Sequence, residues 1–362
     1  MSTNKQFFPA LTGYRAIAAW MIFLYHFMPF DNPKYPEIAR HTILNFHIGV
    51  EMFFVLSGFL ITYRYFNDYP IHFKKYMVNR FARIYPMYFL ITFIFFLVWF
   101  LQNGWTSEKT IEAVLSFTMT KALFLKYNLT GVAQGWTLTL EEIFYLAAPL
   151  YFILIRKTKW NLIILPVLIF LFGVYMKDIT DVPGNKWGFL QQNIAIFIFD
   201  FFAGIGLAYF ILKRKINFSG DWVTCFGLTM IIFYLFGKHY VTPFIDFKSD
   251  FGSAFYVIFL ACFGIVPLLW GLINEKTVIQ KILSNRTFVL LGKSSYIFYL
   301  IHKGFVPIFI FDYIVENKFV IFILLNVISI VLFLYVEEPL NHYIRNKFGK
   351  NKISSDKTEV TS

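Results

Sequence analysis

Leu44-Asn-Phe-His-Ile-Gly-Val-Glu-Met-Phe-Phe-Val-Leu-Ser-Gly-Phe-Leu-Ile-Thr-Tyr-Arg-Tyr-Phe66 decides what kind of fold this chain can have. A helix needs about 20 mostly apolar residues to cross the hydrocarbon core of a bilayer. Between His47 and Arg64 the stretch carries one charge, Glu51. A carboxylate that deep in a span is costly against lipid, so it must face protein and marks a functional position. Ser57-Gly58 offers a small surface for close contact with a neighbouring helix. The stretch reads as a membrane span inside a bundle.

The rest of the chain agrees. Of 362 residues, 58% are hydrophobic and 15% charged, well below the roughly 25% charged of soluble domains. A soluble fold could not hide 48 phenylalanines without large apolar surface patches. Ten stretches have the length and character of spans: 9–29, 44–66, 82–101, 136–155, 161–176, 190–212, 221–237, 252–273, 288–311 and 318–337. Lys109, Glu112 and Lys121 make 110–125 an interfacial helix instead. The fold class is therefore all-α, a polytopic membrane helix bundle of about ten transmembrane helices. Residues 1–345 form the membrane domain and 346–362 a polar cytoplasmic tail expected to be disordered, with no second, soluble domain.

The net charge of +12 does not indicate a nucleic-acid partner, because Lys and Arg concentrate in cytoplasmic loops of membrane proteins. With both termini inside, the inner segments hold nineteen basic residues and the outer ones ten. That bias supports an even number of spans with both termini cytoplasmic, and the Phe-, Ile- and Lys-rich composition points to a bacterial cytoplasmic (inner) membrane. The first apolar stretch contains Arg15 and is followed by Phe-Met-Pro-Phe-Asp31, which no cleaved signal peptide would carry. No internal repeat of the transporter type is present. Cys225 and Cys262 lie in apolar stretches and are expected as buried thiols.

Ionisable residues inside the spans are the site candidates. Arg15 and His26 are eleven residues apart, which brings them to within about 20° of one helix face and separates them by about 16.5 Å along the axis. An Arg snorkelling to the interface and a His packed on a carbonyl would also explain them. Arg80 and Arg83 sit one turn apart at the mouth of the third span, after Lys74-Lys75. They suit ordinary inside anchoring, and equally the phosphates of a nucleotide-bearing donor. Trp136 opens the fourth span, and Glu141 and Glu142 follow within it at about 100° to each other, so at most one faces the interior seam. Tyr296, Tyr299 and His302 share a face of the ninth span, where aromatic belts and bundle packing are the rival explanation. Glu337-Glu338-Pro339 ends the last span and reads as structural or electrostatic.

Six segments in this order resemble the acyltransferase-3 family of membrane O-acyltransferases: Arg15 to His26; Gly49–Leu60; Arg80–Pro86; Trp136–Tyr145; Leu291–His302; and Glu338-Pro339. The resemblance extends from residue 11 to about 340. It implies acetyl-CoA, or another acyl-CoA, as donor substrate with no permanently bound cofactor and no metal. It implies a glycan or lipid-linked sugar hydroxyl as acceptor. Arg15 and His26 match the family's essential pair, Arg80 and Arg83 its arginines, and Trp136 and Glu141 its Trp…Glu motif. Thr137 stands where relatives often have Ser, and relatives often add a C-terminal periplasmic esterase-like domain. On this reading His26, Arg15 and Glu141 are catalytic, and Arg80, Arg83 and Lys75 bind the donor. Trp136, Glu51, Tyr296 and His302 contact substrate.

A neutral imidazole can take the proton of a sugar hydroxyl as it attacks a thioester, contributing about 10²–10⁴-fold. His26 is the candidate base, with an acyl-histidine intermediate as a variant and Glu141 or Glu51 as orienting carboxylates. His26 and Asp31 also make the H-x4-D spacing of glycerolipid acyltransferases, but Pro29 interrupts it. A polytopic transporter or flippase for a glycan precursor or acyl group is the rival class, since intramembrane charge marks substrate pathways too. Membrane lipids surround either kind of protein, and a homo-oligomer is left open.

Overall fold

The computed structural model of the protein describes residues 6–27, 35–180, 188–213, 222–246 and 249–349, and among them no strand occurs. Asp31 and the tail from residue 350 lie outside the described residues. The chain runs α1 (Pro9–Phe27), α2 (Glu37–Leu44), α3 (Gly49–Tyr65), α4 (Phe73–Asn103), α5 (Ser107–Phe117), α6 (Trp136–Lys157), α7 (Asn161–Thr180) and α8 (Gly188–Lys213). It continues with α9 (Trp222–Val241), α10 (Asp250–Phe259), α11 (Val266–Asn274), α12 (Val278–Leu283), α13 (Arg286–Ile301), α14 (Phe305–Tyr313), α15 (Lys318–Leu332) and α16 (Glu338–Phe348). The protein is an all-α polytopic membrane bundle. Seven helical segments are long and apolar enough to span, and α13 with α14, bent by 84°, can supply an eighth. The other two expected spans are helical as well, as α1 and α7.

Two helix contacts position the site. Parallel helices α3 and α8 meet backbone to backbone: a Cβ on Gly58 would fall 2.1 Å from the Phe201 carbonyl oxygen, and one on Gly204 would fall 1.9 Å from that of Val55. Small residues permit this approach, which gains van der Waals contact where no hydrophobic force separates helix from lipid. Helix α1 packs against α13. Trp20 Nε1 also donates to Asn326 of α15 at 3.0 Å, so α1 is held on the central seam with Arg15 turned inward and His26 at its exposed end.

Both π-helical turns, Leu260–Ile265 and Phe333–Glu337, interrupt long apolar runs. Such turns add a residue to the helical period and re-aim a side chain, often at functional sites. The second carries Glu337 inward, where it is buried. The bulge sets the face on which residue 337 emerges. Cys225 and Cys262 are free thiols on the outer surface of the bundle, not buried ones. The helix stripes that carry them face the region the bilayer covers.

Between α5 and α6 the chain folds into short turns around Lys121, which has no exposed surface. Its Nζ donates to the Thr130 carbonyl at 2.7 Å and to that of Val132. Burial pushes the Lys121 pKa from 10.5 down to about 7, with Glu112 opposing. A neutral amine keeps two N–H groups for the two carbonyls, so the proton is dispensable. The folded chain releases this proton near pH 7 and the unfolded chain near 10.5. Stability should therefore rise between those values, by up to about 1.4 kcal/mol per pH unit. Thermal unfolding in detergent at pH 7 and pH 9 measures this. Wild type should melt higher at pH 9, and Lys121→Met should flatten the difference. A wild type equally stable at both values would show that Lys121 stays charged.

Candidate active site

A cavity of about 900 Å³ runs into the bundle between α1, α3, α4, α6, α13 and α16. Its mouth, at the face that carries both chain ends, is lined by Gln6, Asp68, Lys75 and Arg345. Its far end reaches Thr137 and Tyr299. Arg15, Arg80 and Arg83 line the walls, and so do Tyr296 and Glu141. Arg64 and Lys293 line it too. They were passed over in the sequence because they sit at span ends, where snorkelling cations are common.

Local bonding fixes these groups. Arg80 lies over the Tyr145 ring at 5.4 Å and the Tyr65 ring at 5.9 Å, and its buried Nε has no hydrogen-bond partner. Arg83 Nη1 is 4.0 Å from Glu337 Oε1. The charges acting on Arg15 are those of Arg83, Glu337 and Glu141. Glu337 was thus missed as a site residue, and only the π-helical turn reveals it. Tyr296 donates to the Ile84 carbonyl at 2.7 Å and ties α13 to α4 beside the arginines. Ser57 Oγ donates to Glu141 Oε1 at 2.6 Å, and the Tyr145 hydroxyl donates to the same oxygen. Of the adjacent pair, then, Glu141 is the carboxylate that faces the seam.

His26 lies outside this cavity, one step beyond its far end. His302 Nδ1 sits 2.7 Å from the Tyr299 carbonyl and His302 Nε2 sits 3.3 Å from His26 Nδ1. His26 Nδ1 is also 3.0 Å from the Ile22 carbonyl. Carbonyls only accept, so in the neutral pair both Nδ1 atoms carry the hydrogen and His302 Nε2 accepts from His26. The proton on His26 is therefore held on Nδ1, and Nε2 keeps its lone pair. This is the tautomer a general base needs. Thr137, one turn before Glu141, shares a 2.8 Å hydrogen bond with the Tyr299 hydroxyl. That bond joins the cavity's end to the helix that carries His302.

Neither expected orienting carboxylate touches His26. Glu141 is committed to Ser57 and Tyr145, while Glu51 is turned away from the cavity with Oε1 3.2 Å from His47 Nδ1. The imidazole is oriented by a second imidazole instead, because His302 continues the last helical turn of α13 and α13 packs along α1. Trp136 packs on Phe197 at 5.9 Å and does not line the cavity. Gln134, just before it, is another residue the sequence did not flag. Its Nε2 donates to the carbonyls of Leu300 and Lys303, and so clamps the start of α6 to both sides of His302. Among the described residues no cluster of His, Cys, Asp and Glu could hold a metal ion.

The fold is an all-α membrane bundle in which a cationic cavity ends short of a paired imidazole. The chain belongs to the acyltransferase-3 family, whose acyltransferase-domain model matches residues 8–337. Among curated proteins it is similar to the peptidoglycan O-acetyltransferase OatA of Listeria monocytogenes, 24% identical over 83% of this chain and 49% of that protein. It is also similar to the O-acetyltransferase OatA of Staphylococcus aureus, 24% identical over 96% of this chain and 58% of the relative. The chain thus spans about half the length of these relatives. No solved structure matches it.

Proposed function

We propose that this protein moves an acetyl group from cytosolic acetyl-CoA to a hydroxyl of a cell-surface glycan or its lipid-linked precursor. The observation that carries this reading is the long cationic cavity, which ends at Tyr299 and Thr137, one turn of α13 from the His302–His26 pair. Arg80, Arg83 and Arg15, with Lys75 at the mouth, hold the donor's phosphates, and the pantetheine arm runs inward past Ser57 and Glu141. The thioester arrives beside Thr137. The sugar hydroxyl comes from the opposite face, past Trp136 and Glu51. His26 Nε2 takes its proton as oxygen attacks the thioester carbonyl. The carbon–sulfur bond then breaks, and the departing thiolate recovers the proton to give the ester and free CoA thiol. The names of the relatives support acetyl as the group and a wall glycan as the acceptor. The excess of basic residues on the side of the termini supports a cytosolic donor and an inner-membrane location.

The test uses the purified protein in detergent with acetyl-CoA and a soluble oligosaccharide acceptor, following free thiol. Thiol release that requires the acceptor, with ester-linked acetate on the sugar, is the expected result. In proteoliposomes, movement of a lipid-linked sugar across the bilayer with no thiol released would instead establish the transporter reading.

A further inference from the structure

We infer that the mouth of the cavity is a phosphomonoester subsite, built by Arg345 and Asn341 of α16 opposite Arg64 and Lys75, which reads the 3′-phosphate of CoA. The inference rests on the donor reading above and assigns a part of the ligand that the inner arginines leave unaccounted for.

Charge makes the first argument. Seven cationic side chains line the cavity against two carboxylates, Asp68 and Glu141, and Glu337 stands behind Arg83. Among the described residues three to four positive charges are left over, three when Glu142, on which the Arg80 charge acts, is also ionised. The diphosphate of CoA supplies two negative charges, and a phosphomonoester supplies about −1.5 to −2 more. A diphosphate alone would leave part of the excess uncompensated in a site walled by low-dielectric helices, where like charges repel strongly. A 3′-phosphorylated donor nearly closes the balance.

Position makes the second argument. Arg64 ends α3, Lys75 begins α4, and Arg345 comes from α16, so three separate elements bring cations to one opening. The Arg345 guanidinium uses Nε on Asn79 Oδ1 at 3.0 Å, and Asn79 in turn donates to the Tyr65 hydroxyl. The cations acting on Arg345 are Arg64, Arg80 and Arg83, and the favourable partner is Tyr65. Among the described residues its two terminal nitrogens meet no carboxylate, which leaves a forked donor of the geometry that binds phosphate in a bidentate manner. Asn341 Oδ1 is buried beside it without a hydrogen-bond partner. Such an acceptor suits the ribose hydroxyl or the adenine amino group next to a 3′-phosphate.

Depth makes the third argument. Arg15, Arg80 and Arg83 lie further in, where the diphosphate would rest with the pantetheine arm directed at Thr137. The adenosine end then falls at the mouth, and the 3′-phosphate falls among Arg64, Lys75 and Arg345. The last helix therefore completes the donor site.

The experiment compares acetyl-CoA with acetyl-3′-dephospho-CoA on the purified full chain in an uncharged detergent, which removes anionic lipid as a competing phosphate source. Binding is measured by calorimetry and KM by thiol release. Wild type should prefer acetyl-CoA by about 10- to 100-fold, the range of one or two charge-assisted hydrogen bonds. Arg345→Gln should weaken acetyl-CoA alone and bring the ratio close to one, and Arg345→Lys should restore part of it. Equal affinity of wild type for the two compounds overturns the inference without need of any variant. So does an Arg345→Gln protein weakened equally for both, since that pattern means Arg345 only braces Asn79. If wild type binds neither compound, the donor reading itself has failed.

Discussion

His26→Ala should abolish detectable O-acetylation, with acceptor-dependent thiol release falling about 10²–10⁴-fold, the usual contribution of a positioned general base. The loss should appear in kcat, not in donor affinity, because His26 does not line the cavity. Nor should it come from unfolding. His26 sits at the exposed end of α1, and its bonds are to the Ile22 carbonyl and His302. Calorimetry with acetyl-CoA and size-exclusion chromatography check both points. His302→Asn should be milder, since an amide can still hold the His26 Nδ1 hydrogen while the base itself remains. Acetylation unchanged in an abundant, donor-binding His26→Ala protein would sink the assignment and turn attention to Tyr299 and Glu141.

The second large effect is expected at the arginine pair. Arg80→Gln with Arg83→Gln should raise KM for acetyl-CoA about 100-fold or more and reduce its dependence on salt, because each arginine offers a charge-assisted bond to phosphate. The two residues differ in what they leave behind. Arg80 is seated on aromatic rings, and no carboxylate of the described residues forms an ion pair with it, although its charge acts on Glu142. Arg83→Gln strips Glu337 of its nearest cation, and a buried carboxylate without compensation destabilises the fold. Adding Glu337→Gln to Arg83→Gln should therefore restore thermal stability while affinity stays low. If affinity returned with stability, Arg83 would be a structural partner of Glu337 and not a ligand for the donor.

The membrane bundle was legible because its signal is local. A run such as 44–66 must be a span whatever its neighbours are, since unsatisfied backbone in lipid leaves only a helix. Arg15 and Glu141 were legible for the same reason, since charge in a span must face protein, while Arg80 and Arg83 stood out as a one-turn pair at a span mouth, and all four line one cavity. Glu51 follows the same rule but faces a different interior, against His47. Its side of α3 could not be chosen from sequence because that helix is apolar all round.

Other parts of the site depend on departures from helical regularity. Glu337 reaches the arginines through a π-helical turn, while His302, legible on the face it shares with Tyr296 and Tyr299, meets His26 only through the packing of α13 on α1. Periodicity assumes an unbroken helix and cannot register the first, and it says nothing of which helix lies alongside, which decides the second. Gln134 and Arg345 act through partners 166 and 266 residues away, and no local pattern encodes such a pairing. The sequence by itself determined that the chain is a helical membrane bundle and which charged residues must be turned inward, because the cost of charge in lipid acts residue by residue. Only the tertiary structure decided which of them meet. It separated His26 from the cationic cavity, gave it an imidazole partner in place of a carboxylate, and brought α16 to the cavity mouth, because those outcomes follow from how whole helices cross, bend and pack.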